Sequence, residues 1–175
     1  MHQLLSQDEI RDAIERLAGQ LRAKYGQRPL TIVGILTGSL VMLADLIRRL
    51  DMPLRVAVIQ ARAPREKPTG RAALVIDDKL LATVAGRDVL VVDDIFDTGR
   101  TLVDALAHLA EHRPASVRTA VLLRKIGRCE VAIVPDHVMF DIPDEFVVGY
   151  GLDYDDRYRN LPFVAALDSG DLAPN

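Results

Sequence analysis

The sequence predicts an α/β protein: a twisted parallel sheet with helices on both faces. Three observations predict it. Short, nearly all-apolar runs such as Thr31-Ile-Val-Gly-Ile-Leu36 are bounded by turn residues, which suits strands buried on both faces. Strand-like and helix-like segments alternate through the middle of the chain. The clearest strand, Val89-Leu-Val-Val-Asp-Asp94, runs through a short glycine-containing turn into a helix, as in a βα unit.

Each element has its own signal. Ser6-Gln-Asp-Glu9 has the form of a capping box, and Ile10, Ala13, Ile14, Leu17 and Leu21 recur at helical spacing. A helix is expected from about 7 to 25, ended near Gly26. The apolar run at 31–36 is a strand. Thr37-Gly38-Ser39 follows, and Leu40, Leu43, Ala44 and Ile47 start a second helix. Leu54 to Gln60 is a strand. Residues 61–70 hold two prolines and four charges, a solvated loop long enough to act as a lid. Ala72 to Ile76 resumes as a strand. After the strand at 89–94, a third helix carries Leu102, Ala105, Leu106 and Leu109 and stops before Pro114. Thr119 to Leu123, Val138 to Phe140 and Phe146 to Val148 complete the strands.

Composition narrows the function. The chain has 175 residues and a net charge of −3, which suits one domain and argues against a general nucleic-acid coat. Aromatics are only 5% and Trp is absent, so a stacking platform for single strands is disfavoured. Cys129 is the only cysteine, which excludes an internal disulfide and a cysteine-based zinc cluster; its expected role is structural. The polar start and the lack of a long apolar run predict a soluble, cytoplasmic protein without a signal peptide.

Ligands of parallel sheets sit beyond the carboxyl ends of the strands. There, Thr98, Gly99, Arg100 and Thr101 can aim backbone N–H groups and hydroxyls at one phosphate, aided by the helix N-terminus. Asp93 and Asp94 could bind ribose hydroxyls or a hard cation such as Mg²⁺. Asp97 could equally cap the helix. No Gly-Lys-Ser/Thr and no Gly-x-Gly-x-x-Gly occurs, so this is neither a Walker loop nor a dinucleotide fingerprint. Asp77-Asp78 lacks a following Thr-Gly turn and reads as a surface turn. His108 and His112 stand at i, i+4 on one helix, a spacing that can bind zinc, but no third ligand is evident, and His2 and His137 show no ligand spacing with other donors.

The run Val91-Val-Asp-Asp-Ile-Phe-Asp-Thr-Gly-Arg-Thr-Leu102 closely resembles the phosphoribosyl-diphosphate (PRPP) signature of type I phosphoribosyltransferases. The stretch Ile142-Pro-Asp-Glu-Phe-Val-Val-Gly-Tyr-Gly-Leu-Asp-Tyr154, continuing to Arg157-Tyr-Arg-Asn-Leu161, resembles the hypoxanthine–guanine branch. With Gly34-Ile-Leu-Thr-Gly-Ser39 and Leu122-Leu-Arg-Lys125, the likeness spans roughly residues 5 to 167.

The resemblance implies a core over about 25–135 and a small hood from about 1–12 and 136–167, in one domain, with 168–175 a loose tail. It implies transfer of a phosphoribosyl group from PRPP to hypoxanthine or guanine, releasing pyrophosphate, with Mg²⁺ as cofactor. Asp97 would accept or share the purine N7 proton. Thr98, Gly99, Arg100 and Thr101 would hold the 5′-phosphate, and Asp93 and Asp94 the ribose hydroxyls, directly or through Mg²⁺. Thr37 and Gly38 would bind pyrophosphate through backbone amides, in a loop that often contains a cis peptide. Arg159 would be its charged partner. Lys125 would donate to the purine 6-oxo group, Phe146 would stack on the base, and the Val147 backbone would read its edge. Asp153 would serve a second Mg²⁺ beside the base, with Asp155, Asp156 and Arg157 as solvated surface. A homodimer or homotetramer is implied.

Three positions depart from the family pattern. Asp93 stands where Glu is commoner, and Thr37 where many relatives carry Lys or Arg. The family's lid carries a Ser-Tyr pair; here Ala63-Pro64 occupies it, flanked by Arg62, Arg65 and Lys67. The lid motivates one alternative, a nucleotide-binding paralogue of low turnover. The Val-Asp-Asp start of the PRPP loop motivates another, a PRPP-sensing RNA-binding regulator.

Overall fold

The computed structural model describes residues 1–62, 73–75, 84–168 and 170–171. Most of the lid segment, including Ala63-Pro64, Arg65 and Lys67, lies outside the described residues, as do Asp77-Asp78 and residues 172–175.

Nine strands and three helices are described, in the order β1 (His2–Leu5), α1 (Gln7–Tyr25), β2 (Leu30–Leu36), α2 (Leu40–Ile47), β3 (Leu54–Arg62), β4 (Ala73–Val75), β5 (Asp88–Phe96), α3 (Arg100–Glu111), β6 (Ser116–Lys125), β7 (His137–Ile142), β8 (Val147–Val148) and β9 (Val164–Ala166). The main sheet has the order β4-β3-β2-β5-β6-β7. Five of its strands are parallel, and β4 adds an antiparallel edge.

The apolar runs behave as double-faced strands. Ile32 of β2, Leu90 and Val92 of β5 and Leu122 of β6 face one core; Val33, Ile35, Val89, Val91 and Val121 face the other. Alternate side chains point to opposite faces, so only a run apolar at every position can supply both layers. Helices α1 and α2 cover the first face, and α3 covers the second with Leu102, Ala105 and Leu109. The capping box of α1 is formed: Ser6 Oγ accepts from Glu9 N–H at 3.2 Å, and Glu9 Oε2 accepts from Ser6 N–H at 2.8 Å. Gly26 ends that helix with φ +56°.

A second, antiparallel sheet joins β1, β9 and β8. Its residues Leu5, Val147, Val164 and Ala166 pack into the first core, so the hood shares that core. Two boundaries differ from the sequence reading. Strand β7 pairs in parallel with β6, so residues 137–142 belong to the main sheet rather than the hood. Helix α1 buries Ile10, Ile14, Leu17 and Leu21 in the first core, so the core begins well before residue 25. The tail is also held in part, since the Met1 ammonium pairs with Asp168 and Asp171. No described helix is long and apolar enough to cross a membrane.

The strand order decides where a ligand can sit. From β2 the chain moves outward to β3; it later returns to place β5 on the other side of β2. That reversal opens a crevice between the loops after β2 and β5, the switch point of open α/β sheets.

Candidate active site

The crevice is a cavity of about 330 Å³ lined by Leu36, Thr37 and Gly38 from the β2 loop and by Asp93 to Gly99 and Thr101 from β5 and its turn. The Leu36–Thr37 peptide is cis. Gly38 lies flat under Asp94: a methyl group there would come within 1.5 Å of Asp94 Oδ2. Gly99 caps α3 at φ +85°, so Asp97 does not cap that helix. A side chain at Gly99 would strike Phe96 and Val131. The turn is therefore drawn tight enough for backbone N–H groups at the start of α3 to face the crevice.

Asp93 is buried and Asp94 half-buried. Asp93 Oδ1 accepts from Asp94 N–H at 3.0 Å, and Asp94 Oδ1 from Ile95 N–H at 2.9 Å. Burial pushes the Asp93 carboxyl well above the usual range, and the neighbouring Asp94 pushes it further. Burial also raises Asp94, against hydrogen bonds and the positive Arg159.

A second cavity of about 190 Å³ adjoins, lined by Ile95, Asp97, Lys125, Phe146, Val147, Leu152 and Asp153. Both cavities share Ile95 and Asp97. Phe146 is 46% exposed, which removes plain core packing as its role. Its ring meets Tyr154 edge to face, with centroids 5.3 Å apart. Arg159 donates to the Gly151 carbonyl at 2.8 Å and pairs with Asp153 at 2.7 Å. Gly151, at φ +101°, packs on the Gly38 carbonyl, so the hood loop and the β2 loop touch through two glycines. Tyr150 adds a hydroxyl hydrogen bond to Asp45 of α2 at 2.6 Å.

A carboxylate-floored crevice with a glycine-tight turn, joined to an apolar slot with one lysine, has known counterparts. The family model for the phosphoribosyl transferase domain matches residues 2–155. The hypoxanthine-guanine phosphoribosyltransferase of Lactococcus lactis is 43% identical over 94% of this chain and 89% of its own length. The chain belongs to the phosphoribosyltransferases, in their hypoxanthine–guanine branch.

Other members agree. The bifunctional protein TilS/HprT of Listeria innocua is 41% identical over 94% of the chain, which spans only a quarter of that protein's length. A crystal structure of a Bacillus anthracis hypoxanthine-guanine phosphoribosyltransferase with HEPES in the active site superposes with a TM-score of 0.89 at 34% identity, covering 96% of this chain and 99% of that one. A Trypanosoma cruzi hypoxanthine phosphoribosyltransferase in complex with IMP gives 0.87 at 35% identity, covering 97% and 95%.

The structure gathers the sequence-predicted residues at one end of the phosphoribosyltransferase sheet. Thr37, Gly38, Asp93, Asp94, Asp97, Thr98, Gly99 and Thr101 line the crevice, and Lys125, Phe146, Val147 and Asp153 line the slot. The Arg100 side chain instead pairs with Glu130. Asp153 is engaged by Arg159 and by the Asp156 amide, while Asp155, Asp156 and Arg157 are exposed. Among the described residues, no group of three His, Cys, Asp or Glu is placed to hold a metal; Asp93 and Asp94 form a pair apart from Asp153. Cys129 has no core role: it is exposed, with its thiol at 3.1 Å from the Val131 carbonyl.

Sequence reasoning missed Arg128, Asp144, Glu130 and Tyr154. Arg128 Nε donates to Asp97 Oδ1 at 2.9 Å, and Asp144 accepts from Lys125 at 3.2 Å. Both sit in irregular segments without periodicity. Their only signal is a charge within a few residues of a predicted site residue.

Proposed function

We propose that this protein is a purine-salvage enzyme that transfers the 5-phosphoribosyl group of PRPP to hypoxanthine or guanine, giving IMP or GMP and pyrophosphate. The observation that carries this reading is the pair of adjoining cavities that meet at Asp97. One suits a phosphorylated sugar and the other a flat base, and the reacting bond would lie between them.

Thr98, Gly99, Arg100 and Thr101 hold the 5′-phosphate at the start of α3. Thr37 and Gly38 present backbone amides to the pyrophosphate, and Arg159 shifts part of its pairing from Asp153 to that anion. In the slot, Phe146 stacks on the base above Val147 and Leu152. Lys125 donates to the 6-oxo group; adenine presents a donor at the same place and is disfavoured. As the sugar–pyrophosphate bond breaks and the bond to purine N9 forms, Asp97 takes the proton that leaves N7.

The residues also fit Mg²⁺. Asp93 and Asp94 are adjacent carboxylates in a desolvated site, and both are raised in the absence of a cation. A divalent ion there would offset their repulsion and supply positive charge for the ribose hydroxyls and leaving pyrophosphate. Asp153 would serve a second ion only after Arg159 yields. A homodimer or homotetramer is supported by the family resemblance, and a cytoplasmic location by the polar start and the lack of a long apolar run.

The test is nucleotide formation from PRPP, Mg²⁺ and one base at a time: hypoxanthine, guanine, xanthine, adenine or uracil. Turnover of a 6-oxopurine and not of adenine or uracil is expected. No turnover with any base at saturating PRPP refutes the assignment.

A further inference from the structure

Four charged side chains close a ring beside the base slot. Arg128 Nε donates to Asp97 Oδ1 at 2.9 Å and lies 3.6 Å from Asp144 Oδ1. Lys125 Nζ donates to the same Asp144 oxygen at 3.2 Å and lies 3.8 Å from Asp97 Oδ2. Signs alternate around the ring, and each cation faces both anions. The members come from three places in the chain: the turn after β5, the end of β6 with its following loop, and the segment between β7 and β8.

The edges are unequal. Asp97–Arg128 and Lys125–Asp144 are hydrogen-bonded, whereas Lys125–Asp97 and Arg128–Asp144 are too long for a hydrogen bond. Of the four residues, only Asp97 and Lys125 line the slot. Of the two unmade edges, Lys125–Asp97 is therefore the one that the base meets. Left alone, a carboxylate and an ammonium this close would draw together into a direct pair. Here each has a shorter bond to a member behind it, which keeps the front edge open.

We propose that Arg128 and Asp144 are positioning residues that hold Asp97 and Lys125 as a spaced acceptor–donor pair for a 6-oxopurine. This rests on the function proposed above. A 6-oxopurine offers an N7–H donor next to an O6 acceptor, in the order that a carboxylate beside an ammonium accepts. The ring contains two cations and two anions, which suits an uncharged base.

The ring is partly exposed, with Arg128 at 43% and Asp144 at 50%, so solvent screens each pair and the effects are moderate. The experiment compares Arg128→Ala, Arg128→Lys, Asp144→Ala and the double alanine variant with the parent. It reads kcat and KM for hypoxanthine, KM for PRPP, melting temperature, and hypoxanthine affinity by calorimetry. Each single alanine variant is expected to lose about five- to twentyfold in kcat/KM for hypoxanthine, with KM for PRPP and melting temperature unchanged. Arg128→Lys recovers part of that loss, because an ammonium still donates to Asp97. The double variant loses less than the product of the singles, since either cut opens the ring. Asp144→Ala also narrows the preference for hypoxanthine over adenine.

Single variants within twofold of the parent in both kcat/KM and hypoxanthine affinity overturn the proposal. So does a loss matched by an equal change in KM for PRPP or by a lower melting temperature, which marks a merely structural role. If the parent turns over no 6-oxopurine, the assigned activity fails separately, and hypoxanthine affinity still decides the ring: a drop in the variants supports it, and none overturns it.

Discussion

Gly151→Ala is the sharpest probe of how the hood meets the sheet. Gly151 has φ +101°, and a methyl group there would lie 2.1 Å from the Gly38 carbonyl oxygen. The obstacle is backbone, so no rotamer change relieves it. The backbone conformation alone costs an L-residue about 1–3 kcal/mol. Forcing the two loops apart adds about 1–3 kcal/mol, as overpacking does. It also weakens the bond from Gly151 N–H to the Arg159 carbonyl and that from Arg159 to the Gly151 carbonyl. At about 2–4 °C per kcal/mol for a chain of this size, the expected loss in melting temperature is roughly 10 °C. Gly26→Ala is the control: its φ is +56°, and nothing lies within 4 Å of the added methyl. It should carry the conformational cost only, about 1–3 kcal/mol. Scanning calorimetry of both variants isolates the collision, and KM for PRPP in Gly151→Ala should rise because the Thr37-Gly38 loop is displaced. Equal melting temperatures for the two variants would refute the close packing of Gly151 on Gly38.

Three further outcomes are expected. Asp93→Asn should raise the melting temperature at pH 7.5 while reducing turnover. The folded carboxyl binds its proton more tightly than the unfolded one, so the contribution of Asp93 to stability is fully present below about pH 4 and is lost as pH rises through the raised pKa. The advantage of Asp93→Asn should therefore vanish on acidification to pH 4, and a gain that persists there contradicts the burial argument. Asp97→Asn should lower kcat by about 10²- to 10⁴-fold with IMP affinity largely kept, the signature of a lost proton acceptor in single-turnover kinetics. Ser6→Ala removes the side-chain half of the α1 capping box and should cost about 1 kcal/mol in denaturant unfolding with unchanged kcat; a change in kcat would tie α1 to the site.

Local chemistry explains most of what was legible. The capping box at Ser6 and Glu9 and the apolar strands β2, β5 and β6 each announce themselves within a few residues. So does the Asp97–Thr101 turn, because its conformation follows from its own residue types. The hood was harder. Strands β1, β8 and β9 span only two to four residues each, and their hydrogen-bonding partners are up to 164 positions away, as in His2 opposite Ala166. No local pattern specifies such pairing.

The candidate site divides along the same line. By itself the sequence determined the residues that motifs carry: Asp93, Asp94, Asp97, the turn 98–101, Lys125, Phe146 and Asp153. The end of β5 and the start of α3 place Asp93, Asp94, Asp97 and the turn from nearest-neighbour geometry, whereas Lys125, Phe146 and Asp153 were legible only through the family resemblance. Only the tertiary structure decided that the β2 and β5 loops form one crevice, since that follows from the reversal of strand order at β2. It alone brought Arg128 to Asp97, 31 positions apart, and Asp144 to Lys125, 19 apart. Ion pairs between loops depend on where the strands end in space, and charge spacing along a chain does not encode that distance.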